Sequence, residues 1–283
     1  MNMKRFNSVA LGIAAGVFSS RSAIADTVTG YTNNPLPALQ IGIAVNGDNG
    51  VFNNYTATEY SGAINWTRTA STGATPAFQT YNPSTGAGTS GTATFTSFCI
   101  DLVENVGVPS GPYTYDVVDP TAAPLRSASP SYNTISSSGK AILESLWFDN
   151  ISTAMTSDVG QAAFQIAIWD VVFGSDYTHV DNTSSNFYVT PGGQSAAVIA
   201  LANSWLQTTA TQISGGSAIY ENLLALTSSG AQDQLVSTGD FNVGSPGGSP
   251  VPLPLTASGG LSLFGILAAN ELRRGLRSRV RRS

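Results

Sequence analysis

Cysteine and histidine each occur once in the 283 residues, as Cys99 and His179. A lone thiol cannot close an intrachain disulfide, and the pair supplies too few soft ligands for a zinc site. Neither a metal ion nor another cofactor is expected. Positive charge is almost as scarce. Between Asp26 and Pro250 the only basic residues are Arg68, Arg126 and Lys140, against sixteen carboxylates, a formal balance of −13. A surface so poor in cations cannot replace the counterions around phosphates, which excludes DNA and RNA as partners and disfavours anionic lipid. Common enzyme signatures are missing too: there is no Gly-x-Ser-x-Gly elbow and no phosphate-cradling glycine loop. His179 stands between Asp176 and Asp181 in a polar stretch that reads as a solvated loop. Asp101 and Glu104 could pair as acid and base, or simply be solvated at a strand end. Asn46 to Asn53 offers oxygen ligands without the EF-hand spacing. No enzymatic activity is expected.

Apolar runs long enough for a bilayer, about 20 residues, are also lacking. Two shorter ones sit at the ends. Lys4 and Arg5 precede an apolar stretch from Val9 to Phe18, and Ala23-Ile24-Ala25 then offers small residues at the two positions a signal peptidase reads. Residues 1–25 are therefore expected to be a secretory signal peptide. At the other end, residues 244–250 form a Gly/Ser/Pro linker with nothing to bury. Val251-Pro252-Leu253-Pro254 follows, then a modestly apolar run from Leu255 to Ala269, then six arginines between Arg273 and Arg282. Those arginines would hold the tail on the cytoplasmic side.

This order over residues 251–283 resembles the PEP-CTERM sorting signal of Gram-negative bacteria, in which a Pro-Glu-Pro motif precedes a short transmembrane helix and a basic end. Here Pro252 and Pro254 flank Leu253 in place of the usual glutamate, and Glu271 precedes the arginines. The resemblance implies processing by an exosortase, a membrane cysteine transpeptidase. It also implies a place in the cell envelope or the exopolysaccharide matrix of a biofilm, with transient anchoring by the C-terminal helix. A plain tail anchor is the simpler alternative.

Between the ends, residues 26–243 read as one ectodomain. Up to about Leu125 the chain is rich in Thr, Ser, Gly, Asn and aromatics, with turn signals at Asn46-Gly47, Asp48-Asn49-Gly50 and Asn82-Pro83. This pattern predicts a β-sandwich or barrel. Thr92 to Leu102 is the clearest strand, with Phe95 and Cys99 on one face and Phe98, Ile100 and Leu102 on the other. From Ser136 the period becomes helical. Helices are predicted over Ser138–Asn150, from a Ser157 cap to Phe173 with Gly174 closing, and over Gln194–Leu206. Residues 213–243 alternate again and return to the sheet. The expectation is a mainly β, α+β domain with about three helices inserted at roughly 136–208.

In the second helix, at about 100° per residue, Gln165 shares the apolar face of Ala162, Ile168, Trp169 and Val172, opposite Ala163, Ala167 and Asp170. A buried amide costs several kcal/mol unless its groups are paired, so something specific must meet it. A hydrogen bond to a strand backbone would suffice.

Phe98-Cys99-Ile100-Asp101, followed by Phe164-Gln165-Ile166-Ala167-Ile168-Trp169, resembles the paired motifs of bacterial Cys-Gln thioester domains. The similarity spans about Phe95 to Leu206, with Phe164 where that family usually has Thr. It implies a covalent surface adhesin in which the strand cysteine, Cys99, and the helix glutamine, Gln165, condense into an internal thioester. A partner's amine or hydroxyl, on an extracellular polysaccharide or a surface protein, would displace the thiol and become attached. Apolar neighbours such as Phe98, Phe164 and Trp169 would shield the bond from water. Only Lys140 could quench it internally. The alternative is a non-covalent structural or binding protein of the matrix, with Cys99 a small buried hydrophobe and Gln165 a satisfied core amide.

The export reading fixes a terminus that can be measured. N-terminal sequencing of secreted protein should begin at or close to Asp26; a start at Met1 would refute export through a cleaved signal.

Overall fold

The computed structural model describes residues 26–33, 39–45, 55–73, 75–102, 104–125, 133–174, 177, 179–180 and 186–243. The expected signal segment, linker and sorting tail with Pro252 and Pro254, and the Asn46–Asn53 oxygen cluster, lie outside them. Among the described residues no helix is long and apolar enough to cross a membrane.

Six antiparallel strands close a barrel. In chain order they are β1 (Thr27–Thr32), β4 (Ile64–Thr72), β7 (Thr94–Cys99), β8 (Tyr113–Val118), β12 (Ile219–Thr227) and β13 (Gln234–Val243), and around the barrel they run β1-β4-β7-β13-β12-β8. Closure leaves these strands no free edge along most of their length. A second sheet places β2 (Leu39–Val45) between β3 (Tyr55–Ser61) and β11 (Phe187–Val189). The hairpin β5 (Phe78–Tyr81) and β6 (Gly88–Gly91) packs on β7 and β13. Short β9 (Pro124–Leu125) and β10 (Asn133–Thr134) lead into the helices. The fold is mainly β with a helical insertion, and the choice between sandwich and barrel falls to the barrel.

Alternation explains the outer strands. β1 buries Val28, Gly30 and Thr32 and exposes Tyr31. β7 differs, because every residue from Phe95 to Cys99 is buried. One of its faces joins the barrel aromatics: Phe95 stacks on Trp66 at 5.6 Å, and Trp66 meets Tyr115 of β8 edge-on at 5.6 Å. Its other face meets helices. Phe98 lies 4.9 Å from Phe164 and 5.5 Å from Trp147, and Phe164 reaches Trp205 at 6.1 Å. These edge-to-face contacts join one strand to three helices.

The helices are α1 (Ser137–Ala154), α2 (Asp158–Phe173) and α3 (Ser195–Ser214). Ser136 and Ser157 cap the first two by accepting from the N–H of Gly139 and Gly160, and Gly174 closes α2. Gly160 is needed at the tight α1–α2 joint: a Cβ there would lie 2.6 Å from the Ala154 carbonyl oxygen. Two helices outrun their sequence signals. α1 continues to Ala154, and α3 gains two turns beyond Leu206 through the polar segment ending at Ser214. α2 is buried all round, Ala163, Ala167 and Asp170 included, because β2, β3, β7, α1 and α3 surround it. A helix sheathed on every side carries no strong apolar stripe.

The aromatic joint sets a stability test. Trp147→Ala, which empties the contact with Phe98 and Phe164 and removes the Nε1 donor to Tyr81, should cost about 3–5 kcal/mol by urea unfolding. Val243→Thr, at a position 76% exposed, should stay within about 0.5 kcal/mol.

Candidate functional site

β4 stops short of the end of β7. Its last paired residue, Ile64, faces Ser97, so the edge of β7 at Cys99 has no β4 neighbour. The Gln165 side chain fills that place. Its Oε1 accepts from the Cys99 N–H at 2.9 Å, and its Nε2 donates to the Cys99 carbonyl at 2.8 Å. One side-chain amide thus reproduces the pair of bonds a further strand would make. On the opposite edge β13 continues the ladder, with Gln234 facing Cys99 and the Ile100 N–H donating to the Asp233 carbonyl.

The structure places Gln165 against the backbone of Cys99, where strand hydrogen bonds satisfy the buried amide, and not against the sulfur with which the thioester resemblance pairs it. The thiol points elsewhere. Cys99 Sγ lies 2.9 Å from Oε1 of Gln232, to which it donates, and it accepts from Nε2 of Gln234 at 3.5 Å. These two amides are held in turn. Gln232 Nε2 donates to the Asp101 carbonyl at 2.7 Å, and Gln234 Nε2 to the Gln232 carbonyl at 3.0 Å. Gln234 Oε1 accepts from Ser97 Oγ at 2.8 Å, and Ser97 accepts from Trp66 Nε1 at 2.7 Å. Gln165 and Gln234 are fully buried and Gln232 is 8% exposed. A fixed network therefore aims one particular carboxamide at the sulfur.

Gln232 and Gln234 were not among the residues the sequence singled out. Their signal was two glutamines, two positions apart, opening the apolar run Leu235-Val236, so that both fall on one strand face. Of the expected shielding residues, Phe98 and Phe164 pack against each other on the helical face. Trp169 stands on the thiol side, lining a cavity of about 80 Å³ with Cys99, Gln232, Glu59, Tyr60 and Asn105. Tyr60 and Asn105 are the exposed members of that wall. A larger hollow, about 480 Å³, runs along α3 from Ala200 to Gln212, and its polar lining consists of hydroxyls and amides.

Burial pushes the Cys99 thiol up to about 12; the Gln234 contact works against that rise, and the charge of Asp101 adds to it. At neutral pH the sulfur is a protonated thiol, so any reactivity comes from placement. Asp101 is buried and Glu104 half-buried, while His179 is exposed; Asp176 and Asp181 lie outside the described residues. Among the described residues no three His, Cys, Asp or Glu side chains converge as a metal site. Lys140, the one lysine of residues 26–243, holds Asp119 at 2.5 Å and, one turn along α1, Glu144 at 3.7 Å.

If the Gln165 amide substitutes for a missing strand, Gln165→Leu leaves the N–H and C=O of Cys99 buried and unpaired. Urea unfolding should then show a loss of about 2 kcal/mol or more at unchanged m. A loss below about 0.5 kcal/mol would mean that water or a neighbour replaces it.

Searches against protein-family profiles, curated proteins and solved structures give no significant match to this chain.

Proposed function

We propose that this chain is an exported cell-surface or biofilm-matrix protein that attaches covalently to its partner through an internal thioester, and that the acyl group comes from Gln232. The observation that carries this reading is the 2.9 Å contact between Cys99 Sγ and Gln232 Oε1. The carboxamide carbon is one bond from that oxygen, inside a buried and pre-organised network. Gln165 has a different role, pinning the backbone of Cys99 so that the thiol faces Gln232.

The chemistry balances without a cofactor. The Cys99 sulfur bonds to Cδ of Gln232, the C–N bond breaks, and the thiol proton leaves with the nitrogen as ammonia. The resulting acyl carbon is far more electrophilic than an amide carbon. An amine or hydroxyl of an extracellular polysaccharide or surface protein then bonds to it and the sulfur departs as a thiol. Each chain reacts once, so this is attachment rather than turnover. Lys140, the internal amine that could quench the bond, is occupied by Asp119 and Glu144. The N-terminal signal and the exosortase-type tail deliver the domain to the envelope in this reading, with Pro252 and Pro254 marking the processing region.

Intact mass decides the matter. Protein expressed without added amines should weigh one ammonia less than its sequence, and methylamine should add its own mass. Cys99→Ala and Gln232→Ala should abolish both effects, while Gln234→Ala should keep the deficit in part. Alkylation is a poor substitute, because a buried thiol resists it in either form. A wild-type protein of full mass would leave the non-covalent matrix protein as the function.

A further inference from the structure

The thioester reading, on which this inference rests, changes the hydrogen bonds of one oxygen. In the thiol form Gln232 Oε1 accepts from the Cys99 thiol. Closing the thioester removes that donor, because the thiol proton departs with the ammonia. The acyl oxygen is left buried, and every nucleophilic attack turns it into an oxyanion. Acyl transfer in a dry site needs an N–H or O–H donor at that position.

The buried amide and indole donors nearby are already engaged: Gln165 Nε2 serves the Cys99 carbonyl, Gln234 Nε2 the Gln232 carbonyl and the Cys99 sulfur, and Trp66 Nε1 the Ser97 hydroxyl. The Tyr115 hydroxyl is buried without a partner too, but Tyr115 does not line the cavity. Trp169 differs. Its ring lines the small cavity beside Cys99 and Gln232, it is 1% exposed, and its Nε1–H has no hydrogen-bond acceptor. Such an orphaned donor costs about 1–3 kcal/mol and is rare in folded proteins. The ring is held where it is by Phe187 at 6.4 Å and by its place on α2, one turn beyond Gln165. One helix therefore both pins the cysteine backbone and brings a residue with an unused donor to the cavity wall.

We propose that Trp169 is a catalytic residue of this site, its indole N–H donating to the Gln232 acyl oxygen once the thioester closes. As an amine's lone pair bonds to Cδ, the carbonyl pair moves onto the oxygen and the Trp169 hydrogen bond strengthens. Collapse re-forms the carbonyl and breaks the C–S bond. The sulfur leaves and takes up the proton that the nitrogen releases, giving an amide to the partner and a free Cys99 thiol. Burial, which raises the thiol's proton affinity, favours that last transfer.

The test uses the full chain and methylamine as the probe. Trp169→Phe keeps the ring packing and removes the donor. Closure passes through the same oxyanion, so the variant should reach the deficit of one ammonia more slowly, and its opening by methylamine should slow by roughly 10²–10³-fold. Opening at the wild-type rate would overturn the proposal. A second measurement needs no variant. The thioester carbonyl stretch of the wild-type protein should lie below that of a simple alkyl thioester in hydrocarbon solvent, as a hydrogen-bonded carbonyl does; coincident bands would overturn the assignment. A full-mass wild-type protein would remove the thioester itself, whereas a short-mass protein with unaltered kinetics or an unshifted band removes only the role of Trp169.

Discussion

The two hydrogen bonds between the Gln165 side chain and the backbone of Cys99 tie the helical layer to the barrel at the point where the barrel's own ladder runs out. Without them, a buried strand edge would hold an N–H and a C=O with no partner, the situation closed barrels otherwise avoid. With them, α2 is fixed in height and rotation against β7. Phe164, the residue before Gln165, then meets Phe98 and carries the contact on to Trp147 and Trp205. Register of the helix and register of the strand are set by the same amide.

That constraint also decides what the thiol can touch. With Cys99 held by Gln165 on one edge and Ile100 by Asp233 on the other, the thiol lies on the face toward Gln232 and Gln234, ahead of and within β13. The network that holds those glutamines runs through Ser97 to Trp66, deep in the aromatic cluster of the barrel. Cysteine reactivity is often obtained by lowering the thiol's pKa with nearby cations. Here the ectodomain has almost none, and burial moves the thiol the other way. Contact and exclusion of water take the place of ionisation, which is what the proposed thioester would require.

Much of this architecture was readable in the residues. Composition and turn signals indicated strands before Leu125 but bounded only Thr92–Leu102, which contains β7; the change to helical spacing near Ser136 located the insertion, and Ser157 and Gly174 marked the ends of α2. Helix ends were less legible where tertiary contacts carried them on, as in the polar last turns of α3. The face of α2 opposite Gln165 gave no sign that it would be covered, because small residues such as Ala163 and Ala167 are compatible with either environment.

By itself the sequence determined that residues 26–243 have one thiol, hardly a cation, and a glutamine placed on an apolar helical face where it must be satisfied. Those are properties of composition and of periodicity along a single element, and they need no knowledge of neighbours. Which amide meets the sulfur is a different kind of fact. Gln165 and Gln232 lie 66 and 133 residues from Cys99. No local period links either of them to it. Strand order β7-β13 and the early end of β4 assign one glutamine to the backbone and the other to the thiol, and only the closed barrel fixes both.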